Sequence, residues 1–192
     1  MSLPDPFGWL SDAARNRALM ALAALTVVQM IALDAVGRPL IDAVAPYGIV
    51  SFEFAGDLDA ARAMLASWGE SGRLYAALVL GLDYLFLVSY ASAIALGCLV
   101  VARGLARRGA RAAAAGVPLA WALLAAALLD AVENYALIQL LLGSDDGFWA
   151  RLAYGCALPK FAFVVAGLAY LLAGAGWIAW RRGRRRSAQL GA

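Results

Sequence analysis

Histidine is absent from this chain of 192 residues, lysine occurs only at Lys160, and cysteine occurs only twice. Without histidine the chain cannot build a His-ligated haem, an imidazole-ligated zinc site or a Ser-His-Asp triad. Two cysteines are too few for a disulfide scaffold. A P-loop, a dinucleotide fingerprint, a nucleophile elbow and a metal-binding Cys pair are missing as well. The sequence therefore lacks the motifs of most familiar enzyme sites.

Charged residues are also scarce. They make up 15% of the chain, whereas 64% of the residues are hydrophobic. A soluble domain is usually about half apolar and a quarter charged. The composition therefore predicts an integral membrane protein, and the length suits a single membrane domain over residues 1–192.

Four apolar stretches predict transmembrane helices at about residues 18–35, 74–101, 117–142 and 159–180. Three are long enough to cross about 30 Å of hydrocarbon at 1.5 Å per residue, and the first needs its flanks. Helices are required because lipid offers no partners for free backbone groups. The long lead-in Met1–Asn16 carries acids, which favours a retained helix over a cleaved signal peptide. The predicted fold class is all-α, a polytopic four-transmembrane-helix bundle.

Arginine predicts the orientation of these helices. The connection after the second stretch and the tail, residues 181–192, contain arginines and no acid, whereas the other two connections contain most of the acids. By the positive-inside rule both termini are cytoplasmic. We interpret the arginine-rich tail as an orientation signal that contacts anionic lipid, and not as a nucleic-acid site. This topology separates Cys98 from Cys156 and predicts that they do not pair.

The connection between the first and second predicted transmembrane helices, which lies outside the cytoplasm, contains a further helical pattern over about residues 57–68. Asp57 or Asp59 can cap this helix and Gly69 can end it. Ala61, Leu65 and Trp68 recur at helical spacing, so the helix is amphipathic. It lies either on the membrane surface or across the mouth of the bundle, where it shields the other helices or forms a lid over a ligand site.

Polar residues interrupt the second and third apolar stretches. Asp83 lies in the second, and Asp130, Glu133 and Asn134 lie on one face of the third at i, i+3 and i+4. A charge at the bilayer centre costs at least about 2.5 kcal/mol. Because the two helices run antiparallel, these groups reach the same depth, in the outer half of the membrane.

Other polar side chains approach that depth. Tyr90 shares a face with Asp83, Asp34 lies at the end of the first helix, and Lys160 is the one amine within a predicted span. The sequence permits one outward-facing ligand pocket, whereas the alternative is a set of hydrogen bonds that only tie the helices together. Clustered acids repel, so at least one is protonated or shares a cation. We expect no cofactor; Mg²⁺ or Ca²⁺ suits such oxygen ligands, but no spacing marks a metal site.

The segment from Leu129 to Asn134, the Phe52-Glu53-Phe54 loop and Asp83 together resemble a type of uncharacterised bacterial four-helix membrane protein. That resemblance implies the bacterial cytoplasmic (inner) membrane. Over roughly the first half, the chain is also similar to the EXPERA proteins, the group of the emopamil-binding sterol isomerase and the sigma-2 receptor. The shared features are an acid ending helix one, a Glu-Phe loop with Trp68, and an acid in helix two. This resemblance implies a sterol-like or cationic amphiphilic ligand, and it adds Glu53 to the candidate residues.

Three functional hypotheses follow. The first is a protein that binds a lipid-like or sterol-like molecule, with or without acid/base chemistry, through the residues Asp34, Glu53, Asp83, Tyr90, Asp130, Glu133, Asn134 and Lys160. The second is an accessory or structural subunit that forms a homo-oligomer or packs against a membrane partner. The third is a proton- or cation-coupled carrier, in which the same carboxylates relay an ion.

Overall fold

The structure, a computed structural model, describes residues 3–190, and for residues 185–190 it describes only the backbone. It contains five α-helices: α1 (Asp12–Gly37), α2 (Ile49–Glu53), α3 (Leu58–Ala106), α4 (Gly116–Leu141) and α5 (Phe148–Leu190). Two short 3-10 helices lie at Arg38–Leu40 and Arg111–Ala115. The described range contains no β-strand, so the prediction of an all-α fold is confirmed.

Four of the helical segments are long and apolar enough to cross a membrane: Asp12–Leu40, Leu58–Ala106, Arg111–Leu141 and Phe148–Arg184. They correspond to the four apolar stretches of the sequence. The connections 38–57 and 142–147 lie at one end of these helices, which we call the loop end. The N-terminal segment and the connection between α3 and α4 lie at the other end, the terminal end.

The first long helix begins before its apolar stretch does. Ser11 caps α1, and its side chain accepts a hydrogen bond from the backbone N–H of Ala14. Asp12 in the first turn complements the helix dipole. The polar segment 12–17 is therefore helical although it precedes the apolar run. For this reason hydropathy alone places the start of α1 too late.

A sharp kink divides α3 into a loop helix, Leu58–Trp68, and a longer helix that follows Gly69. The Asp57 side chain caps the loop helix by accepting the backbone N–H of Ala60 at 2.8 Å. Gly69 has φ 60° and ψ −164°, a conformation that is essentially restricted to glycine. The capping and ending residues proposed from the sequence thus have these roles in the structure.

The loop helix packs inward. Ala61, Leu65 and Trp68 are buried in one cluster with residues of α4 and α5, among them Leu137 and Ala153. The indole N–H of Trp68 donates to the Leu40 carbonyl oxygen at 2.9 Å. The loop helix therefore covers the loop end of the long helices instead of lying apart from them.

The last helix differs most from its predicted bounds. It begins at Phe148, well before residue 159, and Pro159 lies inside it. The sequence interpretation started the span at a proline, but such residues are tolerated inside membrane helices. The predicted tail continues the same helix to Leu190, while residues 191 and 192 and the side chains of Arg185 and Arg186 lie outside the described part.

The long helices are packed unequally. α4 packs against both α3 and α5, and α3 also contacts α5, whereas α1 packs mainly against α3. Within α1 only Arg15 is buried, and its most apolar window has no buried residue. α1 is thus a peripheral helix with a mostly exposed apolar surface. Cys98 and Cys156 are both free and buried, as the predicted topology requires.

Candidate functional site

A single ammonium group lies among three carboxyl groups at the loop end of the long helices. The Nζ of Lys160 donates to Glu133 Oε1 at 2.8 Å, to Asp130 Oδ1 at 3.0 Å and to Glu53 Oε2 at 3.3 Å. Lys160 comes from α5, Asp130 and Glu133 from α4, and Glu53 from the connection after α1. Side chains from three separate elements therefore meet at one nitrogen atom.

Two further hydrogen bonds extend this group toward α3. The Tyr90 hydroxyl donates to Asp130 Oδ2 at 2.8 Å, and the Asn134 amide donates to Asp83 Oδ2 at 2.6 Å. Asp83 thus contacts Asn134, the residue after Glu133, and does not reach Lys160. We call the whole set the carboxylate–lysine cluster: Glu53, Asp83, Tyr90, Asp130, Glu133, Asn134 and Lys160.

The centre of the cluster is removed from solvent and from lipid. Glu133 is 0% exposed, Asn134 1%, Asp130 3% and Lys160 5%. Within the described residues, the second oxygen of Glu133, Oε2, is buried and has no hydrogen-bond partner. An unpaired buried polar atom costs free energy, so this oxygen is a natural place for a proton.

The cluster holds more acids than bases. It contains four carboxyl groups, and in the part of the chain that the structure describes three of them, Glu53, Asp130 and Glu133, pair with the single ammonium of Lys160. Burial raises the pKa of Glu53 in the loop connection, and the nearby Lys160 ammonium opposes that rise without cancelling it. The cluster therefore stabilises the protonated form of Glu53 more than water does.

Local sequence explains how each group arrives there. Asp130, Glu133 and Asn134 share a face of α4 because they are three and four residues apart. Glu53 is the last residue of α2, a short helix anchored by buried Phe52, whose ring meets Trp68 edge-on with centroids 5.4 Å apart. The loop helix thus fixes the connection that delivers Glu53.

An apolar groove runs away from the cluster toward the terminal end. It has a volume of about 480 Å³ and lies between α1, α3 and α5. Asp130 and Lys160 are the charged residues in its wall and lie at its loop end. The rest of the wall, which defines the apolar groove, consists of Leu19, Ala23, Thr26, Val27, Met30, Phe86, Tyr90, Ala93, Ile94, Phe161, Val164, Leu168 and Leu171.

A second cleft, of about 370 Å³, reaches the cluster from the loop end. Glu53, Asp83 and Asn134 line this loop-side cleft together with residues of the connection after α1. Phe86 and Phe161 line both the cleft and the apolar groove. The carboxylate–lysine cluster therefore lies between the apolar groove and the loop-side cleft, and the side chains of Phe86 and Phe161 separate these two cavities.

The structure brings together every candidate residue from the sequence except Asp34. That carboxylate is 64% exposed and pairs with Arg38 at 3.0 Å, on the wall of the loop-side cleft. Asp34 is thus a surface ion pair near the cleft and not a member of the cluster.

Sequence reasoning missed the aromatic residues Phe86 and Phe161. Nothing distinguishes them from other apolar residues of their helices until the two cavities are known. It also missed a polar contact in which the Ser89 hydroxyl donates to Gln29, joining α3 to α1. Both of these residues lie in apolar stretches, so their polarity was a usable signal for that contact.

Carboxylates and an amide oxygen are ligands that suit Mg²⁺ or Ca²⁺. Among residues 3–184 no group of three or more suitable side chains is arranged around a common point for a metal ion. Instead the Lys160 ammonium occupies the position between Asp130 and Glu133 and acts as their cation.

No protein-family model matches the chain, and no curated protein or solved structure matches it either. The resemblance to the uncharacterised bacterial proteins and to the EXPERA group therefore remains a prediction from short motifs.

Proposed function

We propose that this chain is a four-helix-bundle protein of the bacterial cytoplasmic membrane, with both termini in the cytoplasm, and that it binds a lipid-like molecule. The apolar body of the ligand occupies the groove between α1, α3 and α5. Its polar group reaches Asp130 and Lys160 at the loop end of that groove.

The observation that carries this proposal is the distribution of polarity in the groove. Small-molecule sites are mostly apolar cavities of about 300–1,000 Å³ with a few converging polar groups. This groove lies within that range, and its charged groups are confined to one end. An elongated molecule with one polar end, such as a sterol-like lipid, matches that pattern better than a polar metabolite does.

The helix arrangement supports entry from the bilayer. α1 packs mainly against α3, whereas α5 packs against α3 and α4, so the groove lies where α1 and α5 diverge. Val27 and Met30 in the groove wall are each 56% exposed. A ligand that is dissolved in the hydrocarbon can therefore enter sideways, without crossing the polar surface.

The cluster offers donors and acceptors to the polar end of the ligand. Lys160 is a donor, and carboxyl groups donate or accept according to their protonation. The same groups can also transfer a proton. If the bound molecule is chemically changed during incubation, the protein is an enzyme. A ligand that is retained unchanged identifies a binding protein.

The test is native mass spectrometry of the protein purified in mild detergent, followed by extraction of retained molecules. Ala23→Phe places a ring in the groove wall, whereas Ala24→Phe changes the adjacent position, which faces away from the groove. We expect a defined small molecule on the native protein and on Ala24→Phe, and its loss from Ala23→Phe. Equal retention by both variants overturns the proposal.

A second candidate function is that of an accessory subunit, which the exposed apolar surface of α1 favours. In that case an empty groove and a partner that copurifies in fixed ratio are expected. The carrier hypothesis requires ion flux in liposomes, and it has less support because the α4 segment between Gly116 and Asp130 contains no charged residue.

A further inference from the structure

Arginines gather in a separate cleft at the terminal end of the helices. This cleft has a volume of about 510 Å³ and lies between the start of α1, the end of α3 and the late part of α5. We call it the arginine cleft, and its lining residues are Asp12, Asn16, Val100, Val101, Arg103, Gly104, Arg107, Arg108, Ala175, Ile178, Ala179 and Arg182. It shares no lining residue with the apolar groove.

The positive charge in this cleft is only partly neutralised. Arg103 pairs with Asp12 and also with Asp5. Arg108 donates to the Gly104 carbonyl oxygen at 2.7 Å, a neutral partner. Within the described residues, Arg107 and Arg182 have no ion pair. The cleft therefore holds several guanidinium groups around one carboxylate that is already engaged.

Like charges that face one cavity repel one another, so an anion bound between them lowers the energy of the cleft. Arginine is suited to phosphate because its planar group can donate two parallel hydrogen bonds. The less exposed part of the wall is apolar, with buried Val101 from α3 and half-buried Ile178 from α5, whereas Arg107 and Arg182 are exposed. The cleft thus combines a cationic rim with an apolar floor.

The position of the cleft matches the headgroup level of a membrane. It lies at the end of the membrane-spanning segments, beside two tryptophans that carry arginines on their faces: Arg181 over Trp177 at 4.9 Å and Arg184 over Trp180 at 5.1 Å. Tryptophans concentrate at membrane interfaces. Basic pockets between transmembrane helices on the cytoplasmic side are a known form of lipid-headgroup site.

We propose that the arginine cleft binds the phosphate group of an anionic phospholipid. Arg107, Arg108 and Arg182 hold the phosphate, and the apolar floor contacts the upper part of an acyl chain. The site rests on the proposed membrane location but not on a ligand in the apolar groove, and a variant that blocks the groove, Ala23→Phe, should bind this lipid normally.

The test compares lipid binding by native mass spectrometry after adding phosphatidylglycerol or phosphatidylcholine to the delipidated protein. The cleft variant is Arg107→Gln/Arg182→Gln. The control variant is Arg17→Gln/Arg111→Gln, which removes the same charge from exposed positions at the same end but outside the cleft. Loss of two arginine contacts should weaken phosphatidylglycerol binding on the order of thirtyfold in the cleft variant. The control variant should bind almost as well as the native protein.

Three results overturn the proposal. Equal weakening in the cleft and control variants means that binding follows overall surface charge. Equal binding of phosphatidylglycerol and phosphatidylcholine means that the headgroup charge is not recognised. Competition by soluble glycerol phosphate at the same concentration as the lipid means that the cleft binds a free phosphate compound, since the acyl chain then adds nothing.

Discussion

Replacement of Lys160 by methionine tests the electrostatics of the carboxylate–lysine cluster. Methionine keeps most of the volume of the side chain but removes the ammonium that contacts Glu53, Asp130 and Glu133. These carboxyl groups are then buried without a cation. Removing one partner of a buried ion pair typically costs about 3–5 kcal/mol, because the other partner stays buried and unpaired.

For a chain of this size, such a loss corresponds to a fall in melting temperature of roughly 6–20 °C. The buried thiols of Cys98 and Cys156 provide the assay, since a thiol-reactive fluorogenic dye labels them only when the protein unfolds.

Two further variants serve as controls for the effect of Lys160→Met. Lys160→Met combined with Glu133→Gln should recover part of the lost stability, because one unpaired charge is removed. Arg62→Met breaks a surface pair with Asp145, in which the side chains are 51% and 85% exposed, and should cost less than about 1 kcal/mol. If Lys160→Met behaves like Arg62→Met, the cluster does not hold buried charge and the reasoning is wrong.

Three further predictions use the same unfolding assay. The pKa of Glu53 is raised above its usual 4.5, so the folded state holds this proton more tightly and the stability falls as the pH rises above 4.5. Glu53→Gln should make the stability less dependent on pH in this range. A variant with the same pH profile as the native protein contradicts this prediction. Burial tends to raise the pKa of Asp5, but hydrogen bonds from Arg15 and from the Phe7 N–H outweigh it and lower the pKa. The ionised Asp5 therefore stabilises the fold above pH 3.8, and this stabilisation is lost as the pH falls through the lowered pKa. Asp5→Asn should therefore cost about 1–3 kcal/mol at pH 7 and much less in strong acid, and a loss that does not change with pH would refute this. Gly69→Ala should destabilise the protein by about 1–3 kcal/mol because the φ of this residue is 60°. Gly81→Ala, at an open helical position, should stabilise the protein by about 0.5–1 kcal/mol. Equal effects of the two substitutions would show that the kink tolerates a side chain at position 69.

The helices were largely predictable because hydropathy and capping are local properties of the sequence. Asp57 and Gly69 bound the loop helix through their own backbone preferences, and no distant residue is needed to recognise them. The polar face of α4 follows from the spacing of Asp130 and Glu133 alone. Local patterns failed at Phe148, where the helix starts in a segment of mixed polarity ahead of the apolar run.

The centre of the candidate site was less predictable, because it depends on contacts between distant parts of the chain. Glu53 and Lys160 are 107 residues apart, and the pairing becomes visible only when the loop helix is placed over the end of α4 and α5. Depth and the resemblance to the EXPERA proteins both placed Asp34 with the cluster, but its side chain lies at the surface, where it pairs with Arg38 one helical turn away. Depth in the membrane can be estimated from sequence, whereas the direction of a side chain around a peripheral helix cannot.

The contacts of the N-terminal segment were also missed. Arg15 is 1% exposed and donates to Asp5 Oδ2 and to the Phe7 carbonyl oxygen, both at 2.7 Å. From sequence, no partner was predicted for Arg15. Its partners lie in an irregular segment with no periodic pattern, so the sequence contained no indication that this segment folds back on the helices.

Photo-crosslinking inside the membrane shows directly whether the apolar groove holds a specific lipid-like molecule. A photoreactive amino acid replaces Val27, which lines the groove, or Val28, which is similarly exposed but lies outside it; the two side chains are 56% and 62% exposed. We expect a single crosslinked small molecule at position 27 and a mixture of bulk lipids at position 28. The same mixture of bulk lipids at both positions would show that the groove is an ordinary lipid-facing surface without a specific ligand.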